Sequence, residues 1–320
     1  MRQKKQNVMK KKIAYIIVVL FIGTSLNAQQ EVMVSQYMFN GLFLNPAYAG
    51  SHEYFEATAL HRSQWVNFDG APKTQVIGFD GPIMQDQGGI GLTIVNDDIG
   101  DTHMFEVNGN FSYHMDLDDE GKNRLSIGLK TGIASYTSSY DLERIIEPGD
   151  PVFENGVQGQ VISKFGVGAY YYNDISYIGI SMPTFYVGDG PLTEAYDSLA
   201  VENGYFENHY FLNGGVVFKL NNDLAIKPNL LFKYHPAAPM EVDINCNFLI
   251  KETIWLGASF RTGDAVTALV EYNFSPRFRA GYAYDFTLTD IANYSSGSHE
   301  VMLGYQFGED VIKAKSPRYF

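Results

Sequence analysis

Residues 224–274 read LAIKPNLLFKYHPAAPMEVDINCNFLIKETIWLGASFRTGDAVTALVEYNF. Apolar side chains recur at every second position. Leu224, Ile226, Leu230, Phe232 and Tyr234 alternate with Lys227, Asn229, Lys233 and His235. Val242, Ile244, Cys246, Phe248 and Ile250 alternate with Asp243, Asn245, Asn247 and Lys251, and the pattern continues to Phe274. A period of two belongs to extended strands with one apolar and one polar face. It recurs downstream, where Phe278, Ala280, Tyr282, Tyr284 and Phe286 flank Arg279, Gly281 and Asp285, and Val301, Leu303, Tyr305 and Phe307 flank Glu300 and Gln306. Both a soluble sandwich and an outer-membrane barrel alternate in this way. Two features favour the barrel. Tyr and Phe interrupt the apolar faces at their ends, as interfacial girdles require. The strands also run ~9–13 residues, near the length a tilted membrane strand needs and longer than the soluble norm.

Working outward, the pattern predicts fourteen strands at 53–65, 73–82, 89–97, 103–114, 123–136, 160–172, 175–186, 208–220, 223–235, 239–250, 253–262, 265–274, 277–288 and 299–308. The first three are the least regular, and Pro228 inside the ninth predicts a bulge or bend there. Connection lengths sort by parity. The two longest, 137–159 and 187–207, are odd-numbered, whereas Asn173-Asp174, Asn221-Asn222, Lys251-Glu252 and Ser275-Pro276 are tight even turns. Barrels keep periplasmic turns short and let outer loops grow, so odd connections are expected outside and both chain ends in the periplasm. One even connection, 116–122, is longer than that rule expects.

Composition agrees with an exported wall of strands. The chain has 320 residues, 45% hydrophobic and 18% charged, with 22 Tyr, 22 Phe and 31 Gly. A single Cys excludes a disulfide framework. The net charge of -13 argues against nucleic-acid partners. Residues 1–12 carry six basic side chains and no acid, 13–22 read IAYIIVVLFI, and Ala28 follows shortly after. This is the form of a cleavable secretory signal, with cleavage expected after Ala28. A membrane anchor is the competing reading, but the apolar run is about half the ~20 residues of a spanning helix. Cleavage would take six of 23 basic residues, leaving 17 against 36 acids and a net charge of -19. The expected organisation is a signal peptide at 1–28, an N-terminal plug or periplasmic segment at 29–50, a barrel at 51–308 and a periplasmic tail at 309–320.

Several segments resemble a known family. Residues 29–50 read QQEVMVSQYMFNGLFLNPAYAG, 61–74 HRSQWVNFDGAPKT, 227–236 KPNLLFKYHP, 240–245 MEVDIN, 255–261 WLGASFR, 281–285 GYAYD, 297–305 GSHEVMLGY and 316–320 SPRYF. In this order and spacing the mature chain resembles the PorP/SprF family of type IX secretion system membrane proteins. NPAYAG followed by RSQW is the most specific part. The resemblance implies an outer-membrane component of the type IX export and gliding apparatus. Its partners would be a secreted cargo adhesin, through its C-terminal region, other secretion components, and periplasmic lipoproteins. Its role would be cargo export or surface anchoring. A plugged channel for a hydrophobic or small polar solute is the alternative function, and a barrel enzyme the third.

Candidate chemistry is thin. Asp116, Asp118, Glu120 and Gly121 begin like a calcium loop, yet the position needing a final acid is Ile127. A solvated turn is the better reading. Asp97, Asp98 and Asp101 are expected in a polar hairpin loop. The seven His are scattered, and His61, His114 and His235 are expected to be structural or lumen-facing. No catalytic residue, metal site or cofactor is expected. Cys246 reads as a small hydrophobe. Tyr37, Asn40, Asn45, Pro46, Tyr48 and Gly50 are expected as plug or partner contacts, as are Arg318, Tyr319 and Phe320 at the tail. Lys227, Lys233, Asp243, Arg261, Glu271, Arg279, Asp285 and Glu300 are the charged positions expected to face the lumen, with Glu106, Lys130, Lys219 and Lys251 beside them. Their mixed signs would either pair across the barrel or grip a polypeptide.

Overall fold

A computed structural model describes residues 32–138, 157–185, 208–236 and 238–308, with Ser138 and 157–160 described in backbone alone. The expected signal peptide, the tail with Arg318, Tyr319 and Phe320, and most of the two longest connections lie outside these residues. Fifteen antiparallel segments form one sheet: β1 (Phe55–Ser63), β2 (Lys73–Ile83), β3 (Gly88–Ile99), β4 (Thr102–Asp116), β5 (Arg124–Ser138), β6 (Val157–Tyr172), β7 (Ser176–Phe185), β8 (Tyr210–Val216), β9 (Phe218–Asn221), β10 (Leu224–His235), β11 (Ala238–Ile250), β12 (Ile254–Arg261), β13 (Ala265–Asn273), β14 (Phe278–Thr287) and β15 (Ser298–Phe307). β8 and β9 both pair with β10 and make one stave, so the wall has fourteen. β15 pairs with β1 from Phe55↔Phe307 to Ser63↔His299 and closes the sheet on itself. Closure leaves no unpaired edge, the condition for strands to lie in lipid.

Each strand follows the alternation in the sequence. In β13 the pattern is buried–exposed throughout, with Ala265, Thr267 and Leu269 inward and Val266, Ala268 and Val270 outward. Outward faces end in aromatic belts. Near the even-numbered turns Phe55 stacks on Phe79 at 5.6 Å, and Phe274 lies 4.7 Å from Tyr272 and 5.4 Å from Phe278. Near the odd-numbered connections Tyr284 lies 4.5 Å from Phe286, and Tyr210 6.0 Å from Tyr234.

Three details correct the sequence expectations. β10 runs straight through Pro228, and the irregularity falls on its neighbour. The stave breaks between Val216 and Phe218, and the Val217 amide bonds Ile175 at 2.7 Å instead. Asp97 belongs to β3, buried and accepting a 2.5 Å bond from Thr74, because β3 and β4 extend to the two-residue turn Gly100-Asp101. Lys251 sits exposed in a tight turn with φ 51°, and Lys219 on β9 is exposed, so neither joins the buried lumen.

The chain before β1 is the second structural element. A 3-10 turn at Tyr37–Phe39, one α turn at Gly41–Leu44 and a second 3-10 turn at Pro46–Tyr48 follow in quick succession. Asn45 caps the last, its side chain accepting from the Ala47 amide at 2.9 Å, and Pro46 follows where a missing N–H costs nothing. Nearly every residue from Val34 to Gly50 is buried, and their neighbours are inward-facing side chains around the wall. Val34, Tyr37, Met38, Phe39 and Leu44 pack with inward Leu60, Val76, Leu231, Trp255, Leu269 and Met302. Those wall residues are apolar on the face that polar residues otherwise hold, and this segment is what they pack against.

Candidate functional site in the lumen

The inward face carries charges that the low-dielectric wall would not tolerate singly, and they occur in paired groups. Toward the odd-numbered connections, Arg62 on β1 lies 2.7 Å from Asp285 and 3.2 Å from Glu300. Arg261 on β12 lies 3.2 Å from Asp243, 3.0 Å from Asp264 and 3.9 Å from Asp285, while Lys233 pairs with Glu241 at 3.2 Å. Register brings these strands side by side: Asp243↔Arg261 across β11–β12, and Arg62↔Glu300 across β1–β15.

This group grips Ser35 and Gln36. Glu300 accepts the Ser35 amide at 2.7 Å, the Gln36 amide at 2.8 Å and the Gln36 side chain at 3.1 Å. With Arg62 the carboxylate has four donors, about as many as its lone pairs can serve. Ser35 Oγ donates to Asp285 at 2.8 Å and accepts from Arg62 at 2.8 Å. The Tyr37 hydroxyl reaches Asp243 at 3.4 Å.

Lower in the barrel Arg279 bonds Glu56 at 2.6 Å, lies 3.6 Å from Glu271 and donates to the Phe39 carbonyl at 2.9 Å. Lys227 reaches the Met38 carbonyl at 3.3 Å, with its ammonium over the rings of Phe39 at 5.2 Å and Trp255 at 5.7 Å. Aromatic faces stabilise a cation by their quadrupoles, most of all where water is excluded. A third group joins Glu106 with Lys164 and Lys130.

The segment's later half lies on β2 to β7. Ser181 donates to the Leu44 carbonyl at 2.7 Å, and the Asn45 side-chain Nδ2 donates to the Ala169 carbonyl at 3.0 Å. Ser112 donates to the Ala49 carbonyl at 2.6 Å, His114 lies 3.0 Å from the same oxygen, and the Gly50 amide donates to Asp80 at 2.9 Å. Tyr48 meets His52 at 2.7 Å. Two wall glycines permit this approach. A Cβ on Gly128 would collide with the backbone of Pro46 and Ala47, and one on Gly89 with the Ala49 carbonyl. Only a bare backbone lets another backbone come so near.

The named sequence candidates divide cleanly. Lys227, Lys233, Asp243, Arg261, Glu271, Asp285 and Glu300 are buried on the inner wall, with Arg279 beside them at 15% side-chain exposure. Tyr37, Asn40, Asn45, Pro46, Tyr48 and Gly50 are all buried in the segment. Arg62, Glu56, Asp80, Lys164, Ser35 and Gln36 were not singled out from the sequence, although Arg62 lies in the RSQW run. His61 points outward and exposed, His114 and His235 inward and buried. In the acidic turn after β4, expected to be a solvated turn, Asp118 accepts the Lys122 amide at 2.9 Å and the Asn123 amide at 3.0 Å. Bonding from the Asn123 side chain and these amides holds its carboxyl below the usual range. No cluster of ligating side chains that could hold a metal occurs among the described residues.

The family described as Type IX secretion system membrane protein PorP/SprF matches residues 26–305, and the chain belongs to it. A closed fourteen-stave barrel of this family is an outer-membrane component of the type IX system. Among solved structures, the chain is similar to the outer membrane protein Omp33 of Acinetobacter baumannii, at 9% identity and TM-score 0.46, covering 81% of this chain and 100% of that one. It is also similar to a Pseudomonas aeruginosa FadL homologue, at 12% identity and TM-score 0.44, covering 89% and 96%. The KdgM porin follows at 10% identity and TM-score 0.39, covering 79% and 99%. No curated protein sequence matched.

Proposed function

We propose that this protein is a non-enzymatic receiver for a cargo adhesin of the type IX system, supporting its export or its anchoring at the cell surface. Family membership supports the secretion role, and one observation favours reception over free conduction. The lumen is occupied by residues 34–50, which the wall holds through charge-assisted bonds at one end and backbone contacts at the other. This segment acts as a plug, so the resting barrel does not offer an open path for solutes. In the same reading, residues 1–28 are removed on export, 51–308 form the barrel, and 309–320 lie in the periplasm. There Arg318, Tyr319 and Phe320 dock on secretion components or lipoproteins. The test is deletion of the gene, followed by surface detection of adhesins and by solute uptake. Loss of one adhesin from the surface with uptake intact supports the reading. Lost uptake with normal adhesin display overturns it in favour of a channel.

A further inference from the structure

The wall reads the segment largely through its main chain. The Ser35, Gln36 and Gly50 amides and the Met38, Phe39, Leu44 and Ala49 carbonyls each bond a wall side chain. The partners come from strands spread round the barrel: Glu300 on β15, Asp80 on β2, Lys227 on β10, Arg279 on β14, Ser181 on β7 and Ser112 on β4. Side-chain recognition is concentrated at the two ends: Ser35, the Gln36 Nε2 and the Tyr37 hydroxyl at one, and Asn45 at the other. Between these anchors the match is incomplete. Asn40 Nδ2 and Gln36 Oε1 are buried with no hydrogen-bond partner. Leaving a buried polar atom unpaired costs about 1–3 kcal/mol. The wall therefore does not recognise the Asn40 amide nitrogen or the Gln36 amide oxygen.

We propose that the lumen is a binding site for a polypeptide segment held by its main chain, filled in cis by residues 34–50, and that a segment of the cargo polypeptide takes their place. The ligand class is a chain with free main-chain amides, a small hydroxyl residue at the Arg62–Asp285–Glu300 end, and apolar or aromatic residues next to it for Lys227 and Trp255. This deepens the proposed reception of cargo and rests on it.

Exchange can be measured on the full chain. A protease site inserted at exposed Glu53 allows the segment to be cut from the folded barrel in lipid nanodiscs. A fluorescent peptide of residues 32–50 is then added. The peptide is expected to bind. N-methylation at both Ser35 and Gln36 should weaken it at least tenfold, and Ser35→Ala about as much. The Asn40→Leu peptide should bind within about threefold of the parent. Equal binding of the N-methylated peptide overturns the proposal, as does a tenfold loss from Asn40→Leu, which would mean a site matched to this sequence alone. Failure of the cut segment to be replaced by any peptide also overturns it. None of these outcomes touches the reception of cargo, which the gene deletion tests separately.

Discussion

At the scale of single residues, Arg62 is the most consequential side chain in the lumen. It is 2% exposed and bridges Asp285, Glu300 and the Ser35 hydroxyl. Removing one member of a buried charge group typically costs about 3–5 kcal/mol, because the partners remain buried without it. Arg62→Met is therefore expected to lower the thermal unfolding midpoint and to expose residues 34–50 to limited proteolysis. Arg62→Lys should fall between, since an ammonium keeps the charge but lacks the planar fork that spans both carboxylates. Unchanged midpoint and protection in the Met variant would sink this account. Gly128→Val tests the other end of the segment without touching charge. Its side chain must enter the space held by Pro46 and Ala47, so protease sensitivity of the segment should rise while the barrel stays inserted. Retained protection would show that the segment can shift at no cost.

At the scale of the elements, the outward faces test how deeply each strand sits in lipid. Val270 lies mid-strand in β13 and Tyr272 in the belt near its end, both outward and about 40% exposed. An arginine at the bilayer midplane costs about 2–4 kcal/mol and one near the interface about 0–1. Val270→Arg should destabilise the barrel in liposomes by that larger amount in a denaturant titration, and Tyr272→Arg by the smaller. Equal effects would mean that β13 does not cross as described. The two faces were legible in the sequence because the later strands set Val, Leu, Phe and Tyr against Lys, Asn and Asp. The fourteen staves and most of their bounds follow from that contrast. β1 was harder to read, since its outward Ala57 and Ala59 differ little from its inward Thr58 and Leu60. Arg62 therefore did not stand out as an inward charge. The break at Val217 was legible as a disturbance at Pro228, but not which strand would carry it. The grip on Ser35 was not legible at all. Its partners lie 250 and 265 residues away in Asp285 and Glu300, and only the threading of the segment brings them together.

At the scale of the whole molecule, the barrel has two unlike rims, and its orientation and closure can be tested together. Asp69 is exposed in the connection between β1 and β2, and Asp119 in the turn between β4 and β5, on the opposite rim. In a Cys246→Ser background, Asp69→Cys should react with an impermeant maleimide on intact cells. Asp119→Cys should react only after the outer membrane is opened, because its connection shares a rim with the short even-numbered turns, which belong to the periplasm. The reverse result would invert the topology. Closure is a separate property, and the lumen's charges say what its loss should look like. Arg62, Lys130, Lys164, Lys227, Lys233, Arg261 and the largely buried Arg279 face Glu56, Asp80, Asp97, Glu106, Glu241, Asp243, Glu271, Asp285 and Glu300 among the residues described. Acids exceed bases slightly and both signs are interleaved, so an opened lumen should favour cations only weakly. The intact protein in a planar bilayer is expected to show no steady conductance. A variant lacking residues 32–50 should conduct, with a reversal potential in a salt gradient shifted modestly toward cations. Steady conductance of the intact chain equal to that of the variant would mean that the segment does not close the barrel.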